Sequence, residues 1–214
     1  MRDMMKLVLK TAAITLSAIV FSIVAVLFLL SFTAPAAMAK FTVDIGLYDQ
    51  CAFFDSIAYA DGEGKIDYIA EAFACSARTE NYKKIIKYGN LFIADDGFAD
   101  YCTAKEEWEK ENYGEMKESY AQYVYGSISV AYYHNGEESE ALELAMSVNK
   151  NKFDKYNAIT DLVREVILST GNTGDKTFAR EILHRLETLR NGGTIDDVSS
   201  LNEMIRTLTQ YTEK

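Results

Sequence analysis

No charged side chain occurs between residues 11 and 39, a stretch that reads TAAITLSAIVFSIVAVLFLLSFTAPAAMA. A run this long and this apolar is constrained to one backbone form. Away from water, only a helix pairs every N–H and C=O within its own segment. At about 1.5 Å per residue, a helix over residues 11–34 spans about 36 Å, more than a hydrocarbon core of about 30 Å. Three readings fit. An uncleaved single-span anchor matches the length. A cleavable signal peptide matches the small-x-small triplet Ala37-Met38-Ala39 before Lys40, although the apolar run exceeds the usual span of about 7–15 residues. A buried helix of a soluble protein is seldom apolar on every face.

Charge sets the orientation. Arg2, Lys6 and Lys10 precede the run; only Lys40 follows closely, with Asp44 and Asp49 behind it. The positive-inside rule then places the N-terminus in the cytoplasm and the remainder outside. The expected organisation is a signal or anchor over residues 1–40 and an exported domain over 41–214. The expected localisation is the cell membrane, single-pass, or secreted if cleavage follows Ala39. Residues 1–40 carry a balance of +3, which leaves −13 on residues 41–214 out of a total of −10. An acidic body of this kind disfavours nucleic acid, whose phosphates it repels. The overall mean hydropathy, −0.11, excludes several spans.

The sole proline is Pro35, so 179 consecutive residues follow without one. Proline breaks helices and decorates β-turns, so this body suits helices joined by glycine turns. Apolar side chains recur at helical spacing in segments 47–60, 66–77, 81–94, 97–112, 116–134, 138–149, 156–169, 176–190 and 195–211. Tyr156, Ile159, Val163, Val166 and Ile167 mark the inward face of one segment. Ile195, Val198, Leu201, Ile205 and Leu208 mark that of the last, which Thr194-Ile-Asp-Asp197 is expected to cap. Sustained alternation at period two is absent. The expected class is all-α: a transmembrane helix followed by about nine helices stacked as antiparallel hairpins.

One stretch resembles a known repeat. Tyr125, Ile128-Ser129, Tyr132, Gly136, Ala141 and Ala145 fall at the relative positions of a tetratricopeptide repeat, covering residues 122–155. The repeat's terminal proline is absent, and Ser129 stands where a glycine is usual. Residues 156–190 match more loosely, with Gly174 and Ala179 keeping the turn-to-alanine spacing. The resemblance implies an α-solenoid that binds protein or peptide.

Four groups of side chains are candidate sites. Cys51, Cys75 and Cys102 are an odd set. In a hairpin about the Asp61–Gly64 turn, Cys51 and Cys75 stand 12 residues either side of Glu63. They are the pair expected if a disulfide forms in an exported domain; otherwise all three are small buried side chains. Asp61-Gly-Glu-Gly-Lys-Ile-Asp67 resembles the middle of an EF-hand loop, with Asp61, Glu63 and Asp67 at its third, fifth and ninth positions. Tyr59 and Ala70 occupy its first and twelfth positions, so the bidentate glutamate is missing, and a polar turn explains the residues equally. Tyr120, Tyr123, Tyr125, Tyr132 and Tyr133 cluster on one segment. Tyr123 and Tyr133 lie off the core stripe, so Tyr123, Tyr125 and Tyr133 are candidates for protein binding, against ordinary packing between helices. The acidic run Glu106, Glu107, Glu109, Glu111 reads as a solvated face.

No catalytic residue and no cofactor is indicated. His134 and His184 are the only histidines, and neither has a partner at metal-ligand spacing. The expected function is a membrane-anchored scaffold or adaptor in the cell envelope. The alternatives are a secreted ligand-binding or enzymatic helical domain and a weak calcium-responsive sensor.

Overall fold

The computed structural model describes residues 2–63, 65–114, 119–148, 157–171, 174–193 and 198–213. The side chains of residues 2, 3, 5–7, 62 and 63 are outside that description. Gly64, Tyr156, the expected cap Thr194–Asp197 with Ile195, the 149–155 end of the repeat-like unit and the Glu63 side chain therefore lie outside the described residues. The described residues form α-helices and one π-helical turn, with no strand among them.

The helices are α1 (Arg2–Thr33), α2 (Pro35–Asp44), α3 (Tyr48–Ala58), α4 (Ile66–Arg78), α5 (Tyr82–Ile93), α6 (Phe98–Tyr113), α7 (Tyr120–His134), α8 (Glu138–Ser147), α9 (Ala158–Thr170), α10 (Thr177–Asn191) and α11 (Ser199–Thr212). Within α1, Val8–Thr33 is long and apolar enough to cross a membrane, at a mean hydropathy of 2.8, and its most apolar stretch is not buried anywhere. Pro35 stands at the first position of α2, where its missing N–H has no helical partner to lose. Helix α2 is an addition to the helices expected from periodicity. Its small residues fill the place read as a peptidase site, yet Met38, Ala39 and Thr42 are buried.

The chain divides into two compact units, residues 1–75 and 76–214, with the boundary in the last turn of α4. In the first, α2 packs along α3, and α3 runs on into the π-helical turn Tyr59–Glu63. Cys51, Ala52, Asp55 and Ala58 form the buried stripe of α3. Ile69, Ala70, Ala72, Phe73 and Cys75 are the buried side of α4.

In the second unit α7 packs against α5, α6, α8 and α9, and α9 packs against α8, α10 and α11. Side-chain caps start three helices. Asn81 accepts from Lys84 N, Ser119 from Gln122 N and Asn157 from Thr160 N. The turn from α7 to α8 needs Gly136 at φ +81°, and there Glu137 N donates to Tyr132 O at 2.9 Å. Leu142, Ile159, Leu162, Ile182, Leu186, Leu201 and Leu208 fill the core shared by α8–α11. A buried polar tie joins two of the elements: Ala158 N, at the start of α9, donates to Gln122 Oε1 on α7 at 2.9 Å.

Candidate functional site

Four chemically reactive side chains of the first unit meet in one place, and each arrives by helical spacing. Cys51 and Asp55 are one turn apart on α3; Glu71 and Cys75 are one turn apart on α4. Residues four apart share a helix face, so each helix presents one sulfur and one carboxylate together. Cys51 is joined to Cys75, with their Cα atoms 6.4 Å apart, within the range that a disulfide spans. Both sulfurs belong to residues that are fully buried.

The carboxylates lie against the sulfurs. Cys51 Sγ is 3.3 Å from Asp55 Oδ2, and Cys75 Sγ is 3.7 Å from Glu71 Oε1. The donor atoms of Cys51, Glu71 and Cys75 all lie within 4.8 Å of one another. Asp55 is buried, whereas Glu71 is exposed and opens the cluster to solvent. Burial, and then the nearby Glu71 carboxylate, push the Asp55 carboxyl up from 3.8 to about 7. The signal for this cluster was present in the spacing Cys-x-x-x-Asp and Glu-x-x-x-Cys. Weighing the cysteines apart from the carboxylates missed it.

The EF-like stretch is arranged differently. Asp61 sits in the π-helical turn and Asp67 in the first turn of α4, and both are exposed. An EF-hand loop leaves helical winding to fold its ligands inward. Here the chain keeps winding from α3 through Glu63, so Asp61 and Asp67 face solvent.

The tyrosine candidates separate. Tyr123 is 42% exposed. It forms the outer end of a ladder of ring contacts that runs from Phe92 through Tyr101 and Tyr120. Tyr125 is half-buried against Phe98. Tyr133, expected off the core stripe, stacks on Phe178 at 5.6 Å, and its hydroxyl is 2.8 Å from Ser169 Oγ. The reason is that α7 is covered on several sides, so residues outside its main apolar stripe still meet a neighbour. Exposed aromatic area comes instead from Trp108 and Tyr113 on α6, which contact each other edge to face. The acidic run beside them is tied down in part. Lys105 lies over Trp108, and Glu106 Oε1 accepts from Tyr120 N at 2.7 Å.

His134, read as a helix-end residue, stacks on Tyr82 at 4.4 Å and meets Glu165 Oε1 at 2.8 Å. Both contacts fasten α7 to its neighbours. Cys102, on α6, is a free, buried thiol. Burial, with Glu106 adding to it, pushes this thiol up to about 12 and leaves it protonated at neutral pH. Comparison with models of known protein families, with curated proteins and with solved structures finds no match.

Proposed function

We propose that this chain is a single-span protein of the cell envelope. Its N-terminus is in the cytoplasm, and its acidic helical part, on the other side of the membrane, serves as a scaffold for a protein or peptide partner. The observation that carries the reading is α1. A predominantly apolar helical span of 26 residues, Val8–Thr33, that buries none of its most apolar stretch leaves a surface that water does not tolerate and a bilayer does.

The surroundings of Ala39 support an anchor over a cleaved leader. Signal peptidases take an extended substrate, whereas Ala37-Met38-Ala39 lies inside α2, with Met38 and Ala39 buried. Helices packed on their chain neighbours and on the next but one, as α7 and α9 are, support a stack of hairpins and hence the tetratricopeptide-like reading. The binding face we assign is the exposed aromatic surface of α6 and α7, with Tyr123 at the end of its ring ladder; aromatic side chains give contact area at low entropic cost. Tyr133 is left out of that face because it is engaged in packing.

The test is fractionation with N-terminal sequencing of the mature protein. Met1 at the N-terminus of a species released only by detergent is the expected result. Lys40 at the N-terminus of a soluble species overturns it and favours the secreted alternative. For the binding face, Tyr123→Ala is expected to weaken partner capture by the full chain, and Tyr133→Phe to leave it unchanged.

A further inference from the structure

We infer that Cys51, Cys75 and Glu71, with Asp55 as the nearest fourth donor, form a binding site for a thiophilic divalent cation of the zinc class when the two cysteines are reduced, and that the disulfide is the closed, metal-free form of this site.

Three observations carry it. The first is the donor set. Two sulfurs and the Glu71 carboxylate converge from two helices, with Asp55 beside Cys51, and thiolate with carboxylate suits zinc rather than magnesium or calcium, which take oxygen alone. The second is spacing. A tetrahedral zinc with bonds of about 2.3 Å to sulfur and about 2.1 Å to oxygen puts neighbouring sulfur and oxygen ligands about 3.6 Å apart. The two sulfur–carboxylate contacts are 3.3 and 3.7 Å. The Cα separation of 6.4 Å lies near the upper end of the disulfide range, so the sulfurs can part by side-chain rotation. The third is the chemistry of the contacts. A disulfide sulfur has no proton to donate, so a carboxylate facing it gains no hydrogen bond. The same carboxylate facing a thiol accepts one, and facing a metal thiolate it becomes a ligand.

The exchange balances. A dithiol reductant gives two electrons to the Cys51–Cys75 bond and itself closes to a disulfide, with its two protons passing to the cysteine sulfurs. The incoming cation then displaces both protons, and the sulfurs bind it as thiolates. A disulfide oxidant of the glutathione class reverses the sequence and releases the cation. Glu71, exposed at the edge of the cluster, is the side from which the ion enters.

The experiment uses the full chain in detergent micelles, in a Cys102→Ser background, so that only the two cysteines of the cluster remain. After reduction by a phosphine and its removal without air, cobalt(II) is titrated in. The expected spectrum shows the strong visible bands of a tetrahedral ion and a sulfur-to-cobalt charge-transfer band, saturating at a single equivalent. Zinc then displaces the cobalt, and oxidised glutathione returns the zinc to a chromophoric chelator. Glu71→Gln, which leaves both cysteines in place, is expected to weaken zinc about ten- to a hundredfold; Asp55→Asn serves as the second carboxylate variant. Far-ultraviolet circular dichroism identifies any variant that has lost its helices. Absence of the charge-transfer band in reduced protein overturns the proposal. So does zinc affinity that is unchanged in both carboxylate variants.

Discussion

Cysteine chemistry at the level of single residues gives a direct readout. Cys102 is buried and its thiol is held protonated by that burial, while Cys51 and Cys75 are joined. A thiol reagent is therefore expected to find no reactive group in the folded protein at neutral pH, one after denaturation without reductant, and three after reduction. Two or more without reductant shows the pair open. Gly126, on α7, makes a second prediction. A Cβ there would stand 2.8 Å from Asp161 Oδ2 and 3.4 Å from Ala158 Cα. Gly126→Ala trades this crowding against a helix-propensity gain of about 1 kcal/mol, and the Asp161 carboxylate can shift. Gly126→Val reaches the α9 backbone and is expected to lower stability by about 1–3 kcal/mol in a denaturant titration; an unchanged midpoint removes the close approach. The close approach at Gly126 was not legible from residue types alone. Gly126 lies next to Tyr125 in the repeat-like pattern without being one of its marked positions. The carboxylate beside each sulfur shows only when positions four apart are read as one surface.

The helices themselves were largely legible, because an apolar side chain at helical spacing reports burial on one face, and that is what makes these elements form. One element and one helix face were not. Ala37-Met38-Ala39 stood only as a cleavage site in one of the readings, since a short helix whose buried stripe is Met38, Ala39 and Thr42 lacks the bulky side chains that mark periodicity. The face is on α7, a helix expected over 116–134: a tyrosine-rich helix with neighbours on several sides shows no clear outer face, so Tyr133 was placed off the core stripe. The contact between α7 and α9 yields a pH prediction. Asp161 faces Gly126 across this contact, and its carboxyl titrates above the ordinary value because burial outweighs the pull of Arg164. A raised carboxyl stabilises the fold most below its unfolded value, and that stability is lost as pH rises through the folded value. Asp161→Asn, which stays neutral, is thus expected to melt above the natural protein at about pH 7, with the gap closing toward about pH 4. A gap that does not vary with pH shows that Asp161 is ionised without cost.

At the scale of the whole molecule, the two units differ in what holds them. The second has an extended shared core of leucine and isoleucine, whereas the first is closed by one covalent link over a sequence separation of 24. Closing a loop of that size removes denatured-chain entropy worth about 3.5 kcal/mol in the chain-entropy model. Reduction is therefore expected to speed proteolysis within residues 47–78 while residues 82–113 and 120–147 stay protected, as mapped by mass spectrometry of early fragments. Truncation within α2 tests where the folded part after α1 begins. A chain starting at Pro35 keeps α2 whole. A chain starting at Lys40 loses Met38 and Ala39, two of the three buried residues of α2, together with the carbonyls of both, which accept from Thr42 Oγ1 at 3.0 and 2.7 Å. Removing a buried methionine alone costs about 2–5 kcal/mol, and the stranded Thr42 adds to that. If the protein is built to remain anchored, the Pro35 start retains the protease resistance of α3 and the Lys40 start loses it. Equal resistance of the two would mean that the residues before Lys40 are dispensable to the fold, as a cleaved leader requires.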